Sequence, residues 1–204
     1  MFVNCTKNNK LSSEYQNIIE KWTNTQPLET RIITLFEKVR DIPYGDIGSR
    51  NPLDVYKQNK GTCSGKHELL KALYKQLGIP VKDFIITHCF KELPILFPTN
   101  IQKILENTDI IDPHNFIKIE IEDNWITIDV TWDKNLKKLG FPVNENWDGR
   151  TNMNISVAQG CEIYETENPI GLKEELLAKL LKVQQKERKI FLKKVTEWLD
   201  NVRE

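Results

Sequence analysis

The stretch 114–132, HNFIKIEIEDNWITIDVTW, admits few structures. Ile117, Ile119 and Ile121 alternate with polar residues, and Ile126, Ile128 and Val130 do the same after the turn-forming Asp123 and Asn124. Two such runs spell a β-hairpin with one apolar face, because successive strand residues point to opposite sides of a sheet. Directly opposed residues of an antiparallel pair share a face. The six apolar residues are therefore cofacial only if odd positions of the first strand oppose even positions of the second, which requires an even-numbered loop. A two-residue loop at Glu122 and Asp123 meets the condition. The same parity gathers His114, Phe116 and Lys118 with Trp125, Thr127, Asp129 and Thr131 on the other face. It sets His114 opposite Thr131 and diagonal to Asp129, at about 7–8 Å, a span that long side chains cover.

A second constrained stretch is 60–78, KGTCSGKHELLKALYKQLG. Leu69, Leu70, Leu73 and Leu77 recur at helical spacing, and Gly78 followed by Pro80 is a stop signal. Cys63 falls at the start of this helix, where unpaired backbone N–H groups and the positive end of the macrodipole favour a thiolate. Gly61 and Gly65 are read as leaving room for another backbone to approach the thiol. Alone, such a cysteine reads equally as a small buried apolar residue.

Around these stretches the chain is helical at both ends. Ser13 and Gln16 form a capping-box pattern before the apolar Tyr15, Ile18, Ile19 and Trp22, and Pro27 opens a second helix that ends at the IPYG of residues 42–45. Asn51 before Pro52 predicts a short helix, Pro52–Gln58, leading into the cysteine loop. VKDFIITHCF, beginning at Val81, is β-branched and aromatic enough for a strand. Residues 91–113, with prolines at 94, 98 and 113, read as a loop with a helical patch near 101–105 that shapes a cleft. Between 133 and 169 the one expected strand is at 154–157. Residues 171–203 are helical in composition, with stripes at Leu172, Leu176, Leu180 and Val183 and then Phe191, Val195, Trp198 and Val202. As a single rod of about 50 Å the segment breaks near the charged run 184–189 or projects, either packing back or holding a protein partner.

Length and charge bound the function. A chain of 204 residues is expected to form a single domain, with its core at about 44–132 and a helical extension at 171–203. Lys plus Arg and Asp plus Glu both number 29, so nothing points to nucleic acid or an anionic membrane. No apolar run spans a bilayer and the N-terminal residues are polar, which predicts a cytoplasmic protein whose four cysteines, Cys5, Cys63, Cys89 and Cys161, are thiols.

Thiol, imidazole and carboxylate are the parts of a nucleophilic triad: an attacking sulfur, a base that holds its proton, and a group that fixes the base's tautomer. Cys63, His114 and Asp129 supply them in that order. The sequence carries Gly61-Thr62-Cys63 at a helix start, Gly78-Ile79-Pro80 at its end, then His114, an alternating strand with Trp125, and Asp129-Val130-Thr131. This combination resembles the transglutaminase-like superfamily of papain-fold cysteine enzymes. The resemblance implies an α+β fold in which the helix bearing the cysteine packs on an antiparallel sheet, against the face that carries His114 and Asp129. It also implies acyl transfer through a thioester on a peptide or protein amide, without a cofactor or metal.

The chain departs from particular members. Thr62-Cys63-Ser64 stands where animal transglutaminases have Gln-Cys-Trp. The CxxC of the peptide N-glycanases and the R-G-G-x-C of the arylamine N-acetyltransferases are both missing.

Beside the backbone N–H of Cys63, the candidates for a second oxyanion donor are Gln58 and Tyr44. Trp125, Trp132 and His88 are candidates for the substrate cleft, although His88 shares a strand face with Phe84 and Ile86 and reads equally as a packed residue. His67, four residues after Cys63, is read as structural rather than metal-binding. The alternative function is a catalytically silent module that uses the cleft or the C-terminal helix to hold a partner.

Overall fold

The computed structural model describes residues 3–157 and 162–203, with side chains from residue 11 onward. Its helices are α1 (Val3–Thr23), α2 (Leu28–Arg40), α3 (Pro52–Gln58), α4 (Cys63–Gln76), α5 (Thr99–Asn107), α6 (Pro169–Ala178) and α7 (Lys182–Asn201). Four strands, β1 (Val81–Cys89), β2 (Ile111–Ile121), β3 (Asn124–Ile128) and β4 (Ile163–Thr166), form one antiparallel sheet in the order β3-β2-β1-β4. The fold class is α+β. Among the described residues no helix is long and apolar enough to cross a membrane.

The hairpin adopts the register that parity requires. Ile117 faces Ile128, Ile119 faces Ile126 and Ile121 faces Asn124. Glu122 and Asp123 make the two-residue loop, both left-handed at φ 49° and 63°. The isoleucine face packs on α4, where Ile117, Ile119, Ile126, Ile128 and Val130 share a core with Leu69, Leu70, Leu73 and Tyr74, backed by Leu35, Phe36 and Val39 of α2. Each such side chain contributes about 1.5–3 kcal/mol by leaving water.

The face with His114 points the other way. There Phe84, Ile86 and Phe116 join Phe90 and the Phe191, Val195 and Leu199 of α7 in a second core. This corrects the expectation that the cysteine helix lies against the His114 face. The leucine stripe of α4 takes the more apolar face, and only its first residue, Cys63, belongs to the second core.

Other expectations are corrected as well. Residues 154–157 are irregular, and the fourth strand is Ile163–Thr166 at the sheet edge, with Ile163 55% exposed. α1 runs through Ser13 rather than starting there. The C-terminal segment breaks between Ala178 and Lys182, ahead of the charged run. Val183 is exposed, while Phe191, Val195 and Leu199 at four-residue spacing are buried, so α7 packs back onto the protein.

Candidate active site

Residues on either side of α3 and at the start of α4 build the nucleophile's surroundings. Gly61 forms a short parallel bridge with the segment at Tyr44, donating its N–H to Pro43 O and accepting from Gly45 N–H, each at 3.1 Å. This bridge sets the Tyr44 ring in the same core as Cys63. A Cβ at Gly61 would lie 2.9 Å, and one at Gly65 2.8 Å, from Val55 methyl carbons of α3. The two glycines thus admit Val55 and the packing of α3 on α4, not an approaching substrate backbone.

Cys63 is the first residue of α4 and 5% exposed. His114, buried on β2, donates from Nε2 to Asp129 Oδ2 at 2.6 Å. His114 also lies near enough to the Cys63 thiol to favour its ionised form by charge and hydrogen bond. Asp129 also accepts from the backbone N–H groups of Thr131 at 3.0 Å and Ser156 at 2.9 Å. Burial would push its pKa up, but the His114 charge and hydrogen bond outweigh that and hold the carboxyl well below its usual range. Burial would likewise push His114 down, yet Asp129 raises it to about 9. For Cys63, burial is outweighed by the Lys173 ammonium and then by His114, which bring the thiol down to about 6. Between these values the pair is thiolate and imidazolium.

His67 locks the carboxylate's loop. Its Nε2 accepts the Val130 N–H at 3.1 Å, so Nδ1 bears the hydrogen and donates to Cys63 O at 2.8 Å. Burial takes its pKa down to about 4. Among the described residues no group of three or more His, Cys, Asp and Glu side chains is arranged to hold a metal ion.

The expected site residues divide. Cys63, His114 and Asp129 come together. Tyr44 lines a cleft of about 640 Å³ beside Cys63, and its phenol is pushed well above its usual pKa by burial and by the neighbouring thiolate, so it stays a donor. Trp132 is buried behind Tyr44, ring centroids 4.4 Å apart, and donates its indole N–H to Ser156 O. His88 is buried with its ring centroid 6.1 Å from that of His114, and its Nδ1 has no partner among the described residues.

Gln58 and Trp125 are not brought to the site. Gln58 is exposed at the end of α3, which turns away through a left-handed Asn59. Trp125 lies on the outer surface of the hairpin under Lys82, whose Nζ is 4.8 Å from the ring centroid. Sequence reading missed Lys173, whose Nζ is 3.5 Å from Cys63 Sγ, and the partly buried Asp112–Arg188 pair in the same cleft, Nε to Oδ1 2.6 Å. No apolar period in the sequence points to Lys173, which lies off the Leu172, Leu176 and Leu180 stripe.

No family model and no curated protein matches this sequence. Solved structures similar to this chain include the following two. One, a candidate cysteine protease from Cytophaga hutchinsonii, is 19% identical over 76% of this chain and 49% of that one, with a TM-score of 0.42. The other, a TGase, is 14% identical over 67% of this chain and 35% of that one, also at 0.42. The chain therefore spans about half the length of the first and about a third of the second.

Proposed function

We propose that this protein is a cysteine-dependent hydrolase or acyltransferase that cleaves a peptide or protein amide through a thioester on Cys63. The observation that carries the reading is the buried 2.6 Å contact from His114 Nε2 to Asp129 Oδ2, beside a helix-start thiol whose pKa that imidazole helps to lower. The thiolate attacks the amide carbonyl, forming the C–S bond while the carbonyl electron pair moves to oxygen. When the carbonyl re-forms, the C–N bond breaks and the leaving amine takes the imidazolium proton. Water or an amine then gives a proton to His114 and attacks the thioester. The C–S bond breaks with its electrons returning to sulfur. Asp129 keeps the imidazole in one tautomer throughout and stabilises its charged form.

A second reading, a silent module that binds a partner in the cleft, draws support from the 5% exposure of Cys63. Iodoacetamide labelling read by mass spectrometry, with acyl-enzyme formation from an activated ester, separates the two. Cys63 is expected to alkylate faster than Cys89 near neutral pH and to carry the acyl group. Cys63→Ala should abolish the adduct, and His114→Ala should slow its formation roughly 10²–10⁴-fold. Equal labelling of the two cysteines, with no acyl adduct, sinks the enzyme reading.

A further inference from the structure

We propose that Lys173 is a catalytic residue: its ammonium group is the counter-ion of the Cys63 thiolate and, after attack, the side-chain donor to the oxyanion. The inference rests on the thioester reading and assigns a role that Gln58 cannot fill.

Lys173 comes from α6, far along the chain, and is only 4% exposed. Its head is held in place. Nζ donates to Ser64 Oγ at 2.9 Å, and the Ser64 hydroxyl in turn donates to Asn115 Oδ1 at 2.7 Å. Asn115 is itself buried and adjoins His114 on β2, so the base and the cation are positioned by neighbouring residues of one strand. Among the described residues, the other hydrogen-bond contact of Nζ is Cys63 Sγ at 3.5 Å.

A buried lysine with a structural task looks different, and this protein holds one for comparison. Lys66 Nζ donates to the carbonyls of Arg40 and Thr131, each at 2.8 Å. Lys173 has instead a hydroxyl and a sulfur. The nearby carboxylate that would ordinarily pair with it, Asp112, is taken by Arg188 at 2.6 Å. An ammonium group with three donors and such weak acceptors is poised for an anion.

The anion's position follows from the chemistry. The oxyanion of the tetrahedral intermediate is two bonds from Sγ. A donor 3.5 Å from the sulfur is close enough to reach that oxygen at the distance of about 2.7–3.1 Å that oxyanion donors require. During attack the negative charge passes from sulfur to this oxygen, and the one ammonium group faces both in turn. The lowered pKa of Cys63, in which Lys173 is the leading favourable influence, agrees with the first half of the role.

Two readouts on the full chain test it: the pH profile of Cys63 alkylation by iodoacetamide, and single-turnover acylation by p-nitrophenyl acetate. In Lys173→Met the alkylation inflection should move from about 6 toward the ordinary cysteine value of about 8.5. Acylation should fall about 10²-fold. Lys173→Arg should keep the low inflection and recover most of the acylation rate. An unchanged inflection, or unchanged acylation, in Lys173→Met overturns the proposal. Should Lys173→Met lack the wild-type circular dichroism spectrum, Ser64→Ala, which frees the ammonium group from its anchor, takes its place. It is expected to raise the inflection and slow acylation, and wild-type behaviour overturns the proposal equally. Failure of the underlying thioester reading shows in another way, as a wild-type protein that forms no acyl-enzyme at all.

Discussion

His67 shows how a single side chain couples stability to the site. As a neutral ring it accepts the Val130 N–H and donates to Cys63 O, tying the residue after Asp129 to the first turn of α4. Its pKa falls from the ordinary value near 6.5 to about 4, so its contribution to stability is complete above about 6.5 and is lost as pH falls through 4. His67→Phe, which leaves that N–H without an acceptor, should cost about 1–3 kcal/mol near pH 7. The deficit relative to wild type should shrink toward pH 4, where protonation deprives the wild type of the same acceptor. Urea midpoints at the two pH values measure this, and a constant deficit would show that His67 does not titrate with folding. The residues of the site were legible unequally. Cys63, His114 and Asp129 could be found because each sits in a local pattern, a helix start or an alternating strand. Lys173 and Asn115 meet the site only through tertiary packing, and no local period marks them.

Elements were legible where their apolar residues outlined a face. The facing of the β2–β3 hairpin was legible because an even loop is the only way to bury its isoleucines together, and the helix α4 because its leucines hold one stripe. β4 was not, since a four-residue edge strand with a half-exposed isoleucine has no buried face to betray it. The break between α6 and α7 falls close to the charged run, but the leucines of 172–180 look like a core stripe, whereas the buried side chains of α6 are Pro169 and Lys173. The hairpin loop itself holds a testable oddity. Glu122 and Asp123 both adopt left-handed backbone, which favours Asn and Gly over Glu. The double change Glu122→Asn and Asp123→Gly should therefore stabilise the protein by about 1 kcal/mol, read from thermal or urea unfolding, with the triad unaffected. A loss of stability would mean that the exposed Glu122–Arg150 contact, at 3.7 Å, outweighs backbone strain.

At the scale of the molecule, the C-terminal end of α7 closes the site from behind. Arg203 donates to Tyr44 O at 3.0 Å and pairs with the fully buried Asp133, which also accepts the Tyr44 N–H at 3.0 Å. Lys60, in the cysteine loop, pairs with Asp200 at 2.6 Å. Removing the guanidinium by Arg203→Leu takes from the buried Asp133 its paired cation and leaves it the Tyr44 N–H. The expected cost is about 3 kcal/mol in urea unfolding. Cys63 alkylation should also slow as the Tyr44 segment loosens, whereas a variant as stable and reactive as wild type would show that the clamp is idle. The 110 positions separating Cys63 from Lys173 bear on synthesis as well. On the ribosome the thiol emerges well before the helix that charges it. On the proposed role of Lys173, a growing chain exposes an ordinary cysteine, and its sulfur becomes reactive only as α6 docks.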